Sequence, residues 1–198
     1  MPLEQLVLAS SNAGKLKELR HLLEPLHMQV SSQKDFRVKP VEETGLTFVE
    51  NALLKARAAA RAARQPALGD DSGLVVDALN GQPGIYSSRF AGDNASDRDN
   101  NTLLLEKLKG VPMERRTASF YCCLVLLQHA RDPAPIIVNG TWHGHILEAP
   151  RGRNGFGYDP LFRDAESGVT AAELPMSEKS RISHRGKALS RLIERLKG

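Results

Sequence analysis

The sequence predicts an α/β fold, and three observations lead there. Hydrophobic spacing switches repeatedly between strand-like and helix-like segments along the chain, the pattern of strands and helices sharing one core. The 198 residues suffice to bury roughly 70% of the surface the unfolded chain exposes, so no disulfide or metal staple is needed. The composition, 41% hydrophobic and 25% charged, is that of an ordinary globular protein and excludes disordered, collagenous and disulfide-rich classes.

Leu6-Val7-Leu8-Ala9 reads as a strand, followed by the small polar turn Ser10-Ser11-Asn12-Ala13-Gly14. Leu16, Leu19, Leu22 and Leu23 then recur at helical spacing up to Pro25. A short strand near Met28 to Ser31 leads into a polar connection, Gln33 to Gly45. From Thr47 to Arg64 the chain is Ala-rich, with Phe48, Ala52, Ala56, Ala59 and Ala63 on one face, which predicts a long helix packed closely on a sheet and stopped by Pro66. Ala67-Leu68-Gly69 and Leu74-Val75-Val76 read as two short strands, with Asp70-Asp71-Ser72-Gly73 as the polar segment after the first. Gly81, Pro83, Gly84 and Gly92 mark a loop-rich stretch, after which Ser96 caps a helix from about Asp97 to Lys109. Arg116 to Leu127 and Ile136 to Leu147 are β-type runs joined by Arg131-Asp132-Pro133, a hairpin pattern. The last third holds a Gly-rich loop, Gly152 to Gly157, and a terminal helix capped by Ser183 with Leu189, Leu192, Ile193 and Leu196 on its apolar face. No repeat, low-complexity tract or linker breaks the chain, so residues 1–198 are expected to form one domain, with two lobes around a cleft.

The longest apolar stretch, Cys122 to Leu127, is far short of the ~18 residues of a membrane span, and the N-terminus lacks the pattern of a cleaved signal. Adjacent residues of a strand face opposite sides, so Cys122 and Cys123 are expected to be unbridged core thiols, which suits the reducing cytoplasm. The formal charge of +4 fits a nucleic acid, a polyphosphate or neither.

Four polar clusters can carry chemistry. Ser10 to Lys15 opens a helix, where free backbone N–H groups and the Lys15 ammonium suit an anion; a capped helix start with a solvated lysine is the plain alternative. The spacing is not that of a P-loop, which wants Gly where Ala9 stands and Ser or Thr where Leu16 stands. Glu42-Glu43 and Asp70-Asp71 form two acidic doublets, each able to aim one carboxylate at a common point. Such a pair can hold Mg²⁺ with waters filling its other positions, or can simply be solvated surface charge. Lys55, on the helix after the first doublet, can reach the same place or snorkel to solvent. Phe156-Gly157-Tyr158-Asp159, Lys179 and Ser183-His184-Arg185 join a ring suited to base stacking with hydrogen-bonding groups, or form a turn and a helix cap.

Seven motifs in one order now stand together: Ser11-Asn12-Ala13-Gly14-Lys15, Glu42-Glu43-Thr44-Gly45, Phe48-Val49-Glu50-Asn51-Ala52, Asp70-Asp71-Ser72-Gly73-Leu74, Pro83-Gly84-Ile85-Tyr86-Ser87, Gly155-Phe156-Gly157-Tyr158-Asp159-Pro160 and Ser183-His184-Arg185-Gly186. The set closely resembles the inosine/xanthosine triphosphate pyrophosphatases of the Ham1-like, house-cleaning type, from Leu6 to about Leu196. The resemblance implies a homodimer of elongated mixed α/β subunits whose cleft binds Mg²⁺ and a deaminated purine nucleoside triphosphate (ITP, dITP or XTP), releasing the monophosphate and pyrophosphate. It implies that Ser10, Ser11, Asn12, Ala13, Gly14 and Lys15 bind phosphate together with Lys55, and that Glu42 and Asp71 hold the metal. Asp71 is then also the general base, with Ser72 beside the substrate. Phe156 stacks on the purine, and Gly157, Tyr158, Asp159, Lys179, His184 and Arg185 complete the base pocket; if the donor-only Arg185 faces O6 and the acceptor-only Asp159 faces N1, adenine leaves polar groups unpaired. The family's first turn often reads Thr-Gly-Asn; Ser10-Ser11-Asn12 keeps a hydroxyl but leaves the backbone at Ser11 less open to approach. Two other readings are a pyrophosphatase for other modified nucleotides and a basic nucleic-acid-binding protein. The second needs a basic stripe with interleaved aromatics, which 5% aromatic content and interspersed acids do not supply, so neither nucleic acid nor membrane is an expected partner.

Overall fold

The computed structural model describes residues 4–24 and 28–197. Its strands are β1 (Gln5–Ala9), β2 (Gln29–Ser32), β3 (Ala67–Val76), β4 (Thr117–Leu127), β5 (Ile136–Ile146) and β6 (Phe162–Asp164). They form one six-stranded sheet in the order β2-β1-β3-β4-β5-β6. The sheet is mixed: β1 runs parallel to β2 and β3, with Leu8 opposite Ser32 and Leu68, and β6 runs antiparallel to β5, with Ile146 opposite Phe162. The helices are α1 (Ala13–Leu23), α2 (Phe48–Ala63), α3 (Asp97–Lys107), α4 (Met176–Ile182) and α5 (His184–Lys197). The α/β expectation is therefore met. The expected helix stop at Pro25 lies outside the described residues.

The chain divides into two compact units, one of residues 1–71, 122–140 and 185–198, the other of residues 72–121 and 141–184. In the first, Leu6 and Leu8 of β1 pack with Leu19 and Leu23 of α1, Leu124 and Leu126 of β4, and Leu189 and Leu192 of α5. Each fully buried leucine contributes about 1.5–3 kcal/mol relative to exposure. The Ala-rich face of α2 lies tightly on β3, because a Cβ at Gly69 would run into the Ala52 carbonyl and Ala56 is its next neighbour. Thr47 and Glu50 cap α2 reciprocally, which is why the helix begins there. In the second unit, Leu74, Leu104, Phe120, Trp142, Leu161 and Phe162 form the core.

Three local differences from the expected elements have physical reasons. Asp70 and Asp71 do not follow a strand; they lie within ten-residue β3, where ion pairs replace the apolar burial that would have marked a continuous strand. Ser183 directly precedes α5, as the cap reading expects, but it also ends α4 as its C-terminal cap, so no loop separates the two helices. Strand β6 and helix α4, of three and seven residues, were too short to leave a periodic trace. The expected β4–β5 pair is present, and Asp132 ties its connection by accepting from the Gln128 and Ala134 N–H groups at 2.9 Å each. Cys122 and Cys123 are free and buried, as expected.

Candidate active site

The turn after β1 is held by its own side chains. Ser10 Oγ accepts from the Asn12 N–H at 3.2 Å, and Asn12 Oδ1 caps α1 by accepting from the Lys15 N–H at 3.1 Å. Ala13 and Gly14, the first residues of α1, have N–H groups with no partner within the helix. Ser11, Asn12 and Ala13 are exposed, so the turn is open to an anion.

The two aspartates of β3 face different cations, as alternation along a strand requires. Asp70 is 1% exposed; its Oδ1 receives the Lys15 ammonium and its Oδ2 the Arg185 Nε, both at 2.7 Å. Arg185, 2% exposed, also pairs with Glu18 of α1. Burial alone would raise the Asp70 pKa, but Arg185 and Lys15 outweigh it and hold the carboxyl far below its ordinary range. Asp71 Oδ1 receives the Lys55 ammonium at 2.6 Å, and Lys55 also donates to Glu43 Oε1 at 3.0 Å. Asp71 Oδ2 is buried with no hydrogen-bond partner. Burial pushes the Asp71 pKa up against the pull of Lys55. For Lys55, burial acts downward but the Asp71 and Glu43 carboxylates prevail and raise its pKa. Glu42, the other half of its doublet, is exposed, and among the described residues no side-chain bond engages it.

Whether these residues suit a divalent cation can be judged from the donor set. Among the described residues no three His, Cys, Asp or Glu side chains gather as a metal cage. Mg²⁺ beside phosphates needs none, since it commonly takes one or two carboxylates and fills its octahedron with water and phosphate oxygens. An orphaned Asp71 oxygen and an unengaged Glu42 carboxylate are hard donors of that kind.

In the second unit, Asp159 Oδ2 receives the Lys179 ammonium at 2.7 Å and the Phe156 N–H at 2.8 Å. Lys179 also lies over the Phe156 ring, 5.0 Å from its centroid. Tyr158 is buried and donates its hydroxyl hydrogen bond to the Ser87 carbonyl at 2.8 Å. His184 stacks on Phe120 at 4.8 Å with ring planes 15° apart. Ser72 follows Asp71 on β3. The structure thus joins Phe156, Asp159 and Lys179 in one cluster and ties Arg185 to Asp70 and Glu18 in the other unit.

Sequence reading missed two residues that hold Gly157. Asp97 Oδ2 accepts its N–H at 2.7 Å, and Asn101 Nδ2 donates to its carbonyl at 2.8 Å. Both lie one turn apart on α3, where Asp97 reads as ordinary first-turn acid; the i, i+4 spacing of two short polar side chains was the available signal. Glu18, likewise, reads as helix surface and is in fact the second partner of Arg185.

The chain matches the Ham1 family over residues 6–195. It is 52% identical over 195 residues to the dITP/XTP pyrophosphatase of Shigella flexneri, spanning 98% of this chain and 99% of that one. With the dITP/XTP pyrophosphatase of Xanthomonas campestris pv. campestris it shares 53% identity over 194 residues, 98% of each chain. A solved HAM1 protein from Coxiella burnetii aligns with a TM-score of 0.90 at 49% identity, covering 100% of this chain and 99% of that one.

Proposed function

The chain belongs to the Ham1 family, and from that premise we propose that it is a nucleoside-triphosphate pyrophosphatase. It hydrolyses the triphosphates of deaminated purines, dITP, ITP and XTP, to the monophosphate and pyrophosphate, and so clears them from the nucleotide pool. The observation that carries this reading is the Asp71 carboxylate, with one oxygen on Lys55 at 2.6 Å and the other buried without a partner.

Hydrolysis of an α,β-phosphoanhydride asks little covalent work of the protein beyond positioning and charge neutralisation. The Ala13 and Gly14 N–H groups, the Ser10 and Ser11 hydroxyls and Asn12 meet phosphate oxygens at the positive end of α1. Lys15 and Lys55 supply full charges. Each ammonium is held by a carboxylate, so it is positioned before substrate arrives. Glu42 and Asp71 would hold Mg²⁺, which when bound shields phosphate charge and lowers the pKa of a coordinated water. Asp71 would orient the attacking water and take its proton as general base. General-base help is worth about 10²–10⁴-fold, so electrostatic preorganisation by the lysines and backbone N–H groups carries much of the remainder.

Base selection rests on Phe156 as the stacking ring, with Lys179 and Asp159 beside it and Gly157, Tyr158 and His184 shaping the pocket. An ammonium donates and never accepts, and a carboxylate does the reverse. Hypoxanthine and xanthine offer an O6 acceptor and an N1–H donor, whereas adenine reverses both. Arg185 would contact a base only by giving up part of its pairing with Asp70 and Glu18. We therefore assign it to holding Asp70, and through Asp70 the Lys15 ammonium, with Ser72 placed beside the substrate by its neighbour Asp71. The same reading makes residues 1–198 one functional domain and the enzyme a cytoplasmic homodimer. Among the described residues no helix is long and apolar enough to cross a membrane.

Phosphorus NMR of the products tests the bond assignment. With ITP and Mg²⁺, equimolar inosine monophosphate and pyrophosphate are expected; orthophosphate as the first product would overturn it.

A further inference from the structure

Helix α2 buries a polar side chain that the reaction described above does not use. Asn51 is 0% exposed, in a helix whose other buried positions are Ala52, Ala56, Ala59 and Ala60. Alanine is the better helix former and needs no hydrogen bonds, so neither helix propensity nor packing calls for an amide here. The Asn51 Nδ2 is buried without a partner, which carries a desolvation penalty. Its Oδ1, however, accepts the Gly45 N–H at 2.9 Å.

Gly45 ends the acidic segment Glu42-Glu43-Thr44-Gly45. A Cβ added there would stand 2.5 Å from Glu50 Cβ and 2.7 Å from Asn51 Oδ1, so the loop is seated against the helix with no room to spare. The next two N–H groups, of Leu46 and Thr47, are taken by Glu50 Oε2 at 2.9 Å each. One helical turn beyond Asn51, Lys55 grips Glu43. Asn51 and Lys55 thus fasten the acidic segment at two points, and Glu42 lies just before both.

We propose that Asn51 is a positioning residue for divalent-cation binding: its side-chain oxygen fixes Gly45, which sets the backbone of the acidic segment and aims the Glu42 carboxylate at the cation shared with Asp71. This rests on the reading of Glu42 and Asp71 as the cation's carboxylates.

The test is Mn²⁺ titration of the purified full-length protein without nucleotide, followed by the electron paramagnetic resonance signal of free Mn²⁺. Steady-state rates against Mg²⁺ concentration complete it. Asn51→Ala and Gly45→Ala attack one contact from its two sides, and the second leaves the helix core untouched should the first fail to fold. Each is expected to weaken Mn²⁺ binding about tenfold and to raise the Mg²⁺ concentration for half-maximal rate by a similar factor. kcat at saturating Mg²⁺ should stay within about twofold of the parent. The double variant should be no worse than either single one beyond about twofold, because the two changes break the same link. Unchanged Mn²⁺ affinity in folded Gly45→Ala, or effects that multiply in the double variant, overturns the proposal. Glu42→Gln separates the two layers. If it weakens Mn²⁺ binding while Asn51→Ala and Gly45→Ala do not, the positioning role alone falls. If it leaves binding unchanged, the carboxylate reading falls and the proposal with it.

Discussion

Asp70 and Asp71 are consecutive on β3, yet they serve different cations: Asp70 closes on Lys15 and Arg185 at 2.7 Å, and Asp71 on Lys55 at 2.6 Å. The pleat of the strand separates a carboxylate saturated with positive charge from one that keeps an unpartnered oxygen. The first orders Arg185 and Lys15 around it, and under the proposed function the second offers its open oxygen to a ligand.

Substitution of the pair should therefore split stability from turnover. Asp70→Asn removes the carboxylate that takes the buried Arg185 Nε, and breaking a buried pair costs about 3–5 kcal/mol. Urea unfolding should register that loss. Asp71→Asn should unfold near the parent's midpoint but lose about 10²–10⁴-fold in kcat. Equal losses of kcat with equal stabilities would contradict the division.

Acid stability should depend on Asp164. Its burial acts to raise the pKa, but the Ser167 hydroxyl and N–H and the Trp142 indole N–H prevail and lower it. A carboxyl whose pKa is lower in the folded state stabilises above its ordinary value of 3.8 and loses that contribution as pH falls through the lower folded value. Asp164→Asn should cost about 1–3 kcal/mol at pH 7 and flatten the decline in urea midpoint below about pH 4. A variant with the parent's full acid slope would rule Asp164 out as a source of it.

The Asp97 and Asn101 clamp on Gly157 should be felt in substrate affinity. Asn101→Ala removes one donor to the Gly157 carbonyl, worth about 1 kcal/mol, so KM for dITP should rise about fivefold with kcat little changed. A loss confined to kcat would place the clamp in the chemistry instead.

The thiols should be inert. Burial raises the Cys122 pKa and pushes that of Cys123 up to about 11, so neither supplies thiolate at neutral pH. Ellman's reagent should report no fast thiol in the native protein and two after unfolding. Stoichiometric reaction within seconds would mean that one is accessible.

How much of this was legible depended on whether a residue acts locally. The strand at Leu6–Ala9, the capped α2 and the β4–β5 pair announced themselves through spacing and caps within a few residues. Strand β3 did not, because its middle is Asp70-Asp71-Ser72-Gly73, polar chemistry that only a partner elsewhere makes tolerable. That partner, Arg185, is 115 residues away, a distance at which periodicity carries no signal. The same limit hid Glu18 and the Asn101 contact to Gly157, 56 residues apart. The motif residues themselves were readable, but their pairings were not: Arg185 reads as a helix cap or base contact in sequence, and nothing local announces its ion pairs with Asp70 and Glu18.

Selective hydrolysis of deaminated purine nucleotides is read from side-by-side kcat/KM values for dITP, XTP, dATP, dGTP and dTTP under Mg²⁺. Two mismatched polar contacts at about 1–3 kcal/mol each predict that dITP and XTP exceed dATP by about 10²-fold or more. Equal kcat/KM for dATP and dITP, or preference for a pyrimidine, would contradict the account.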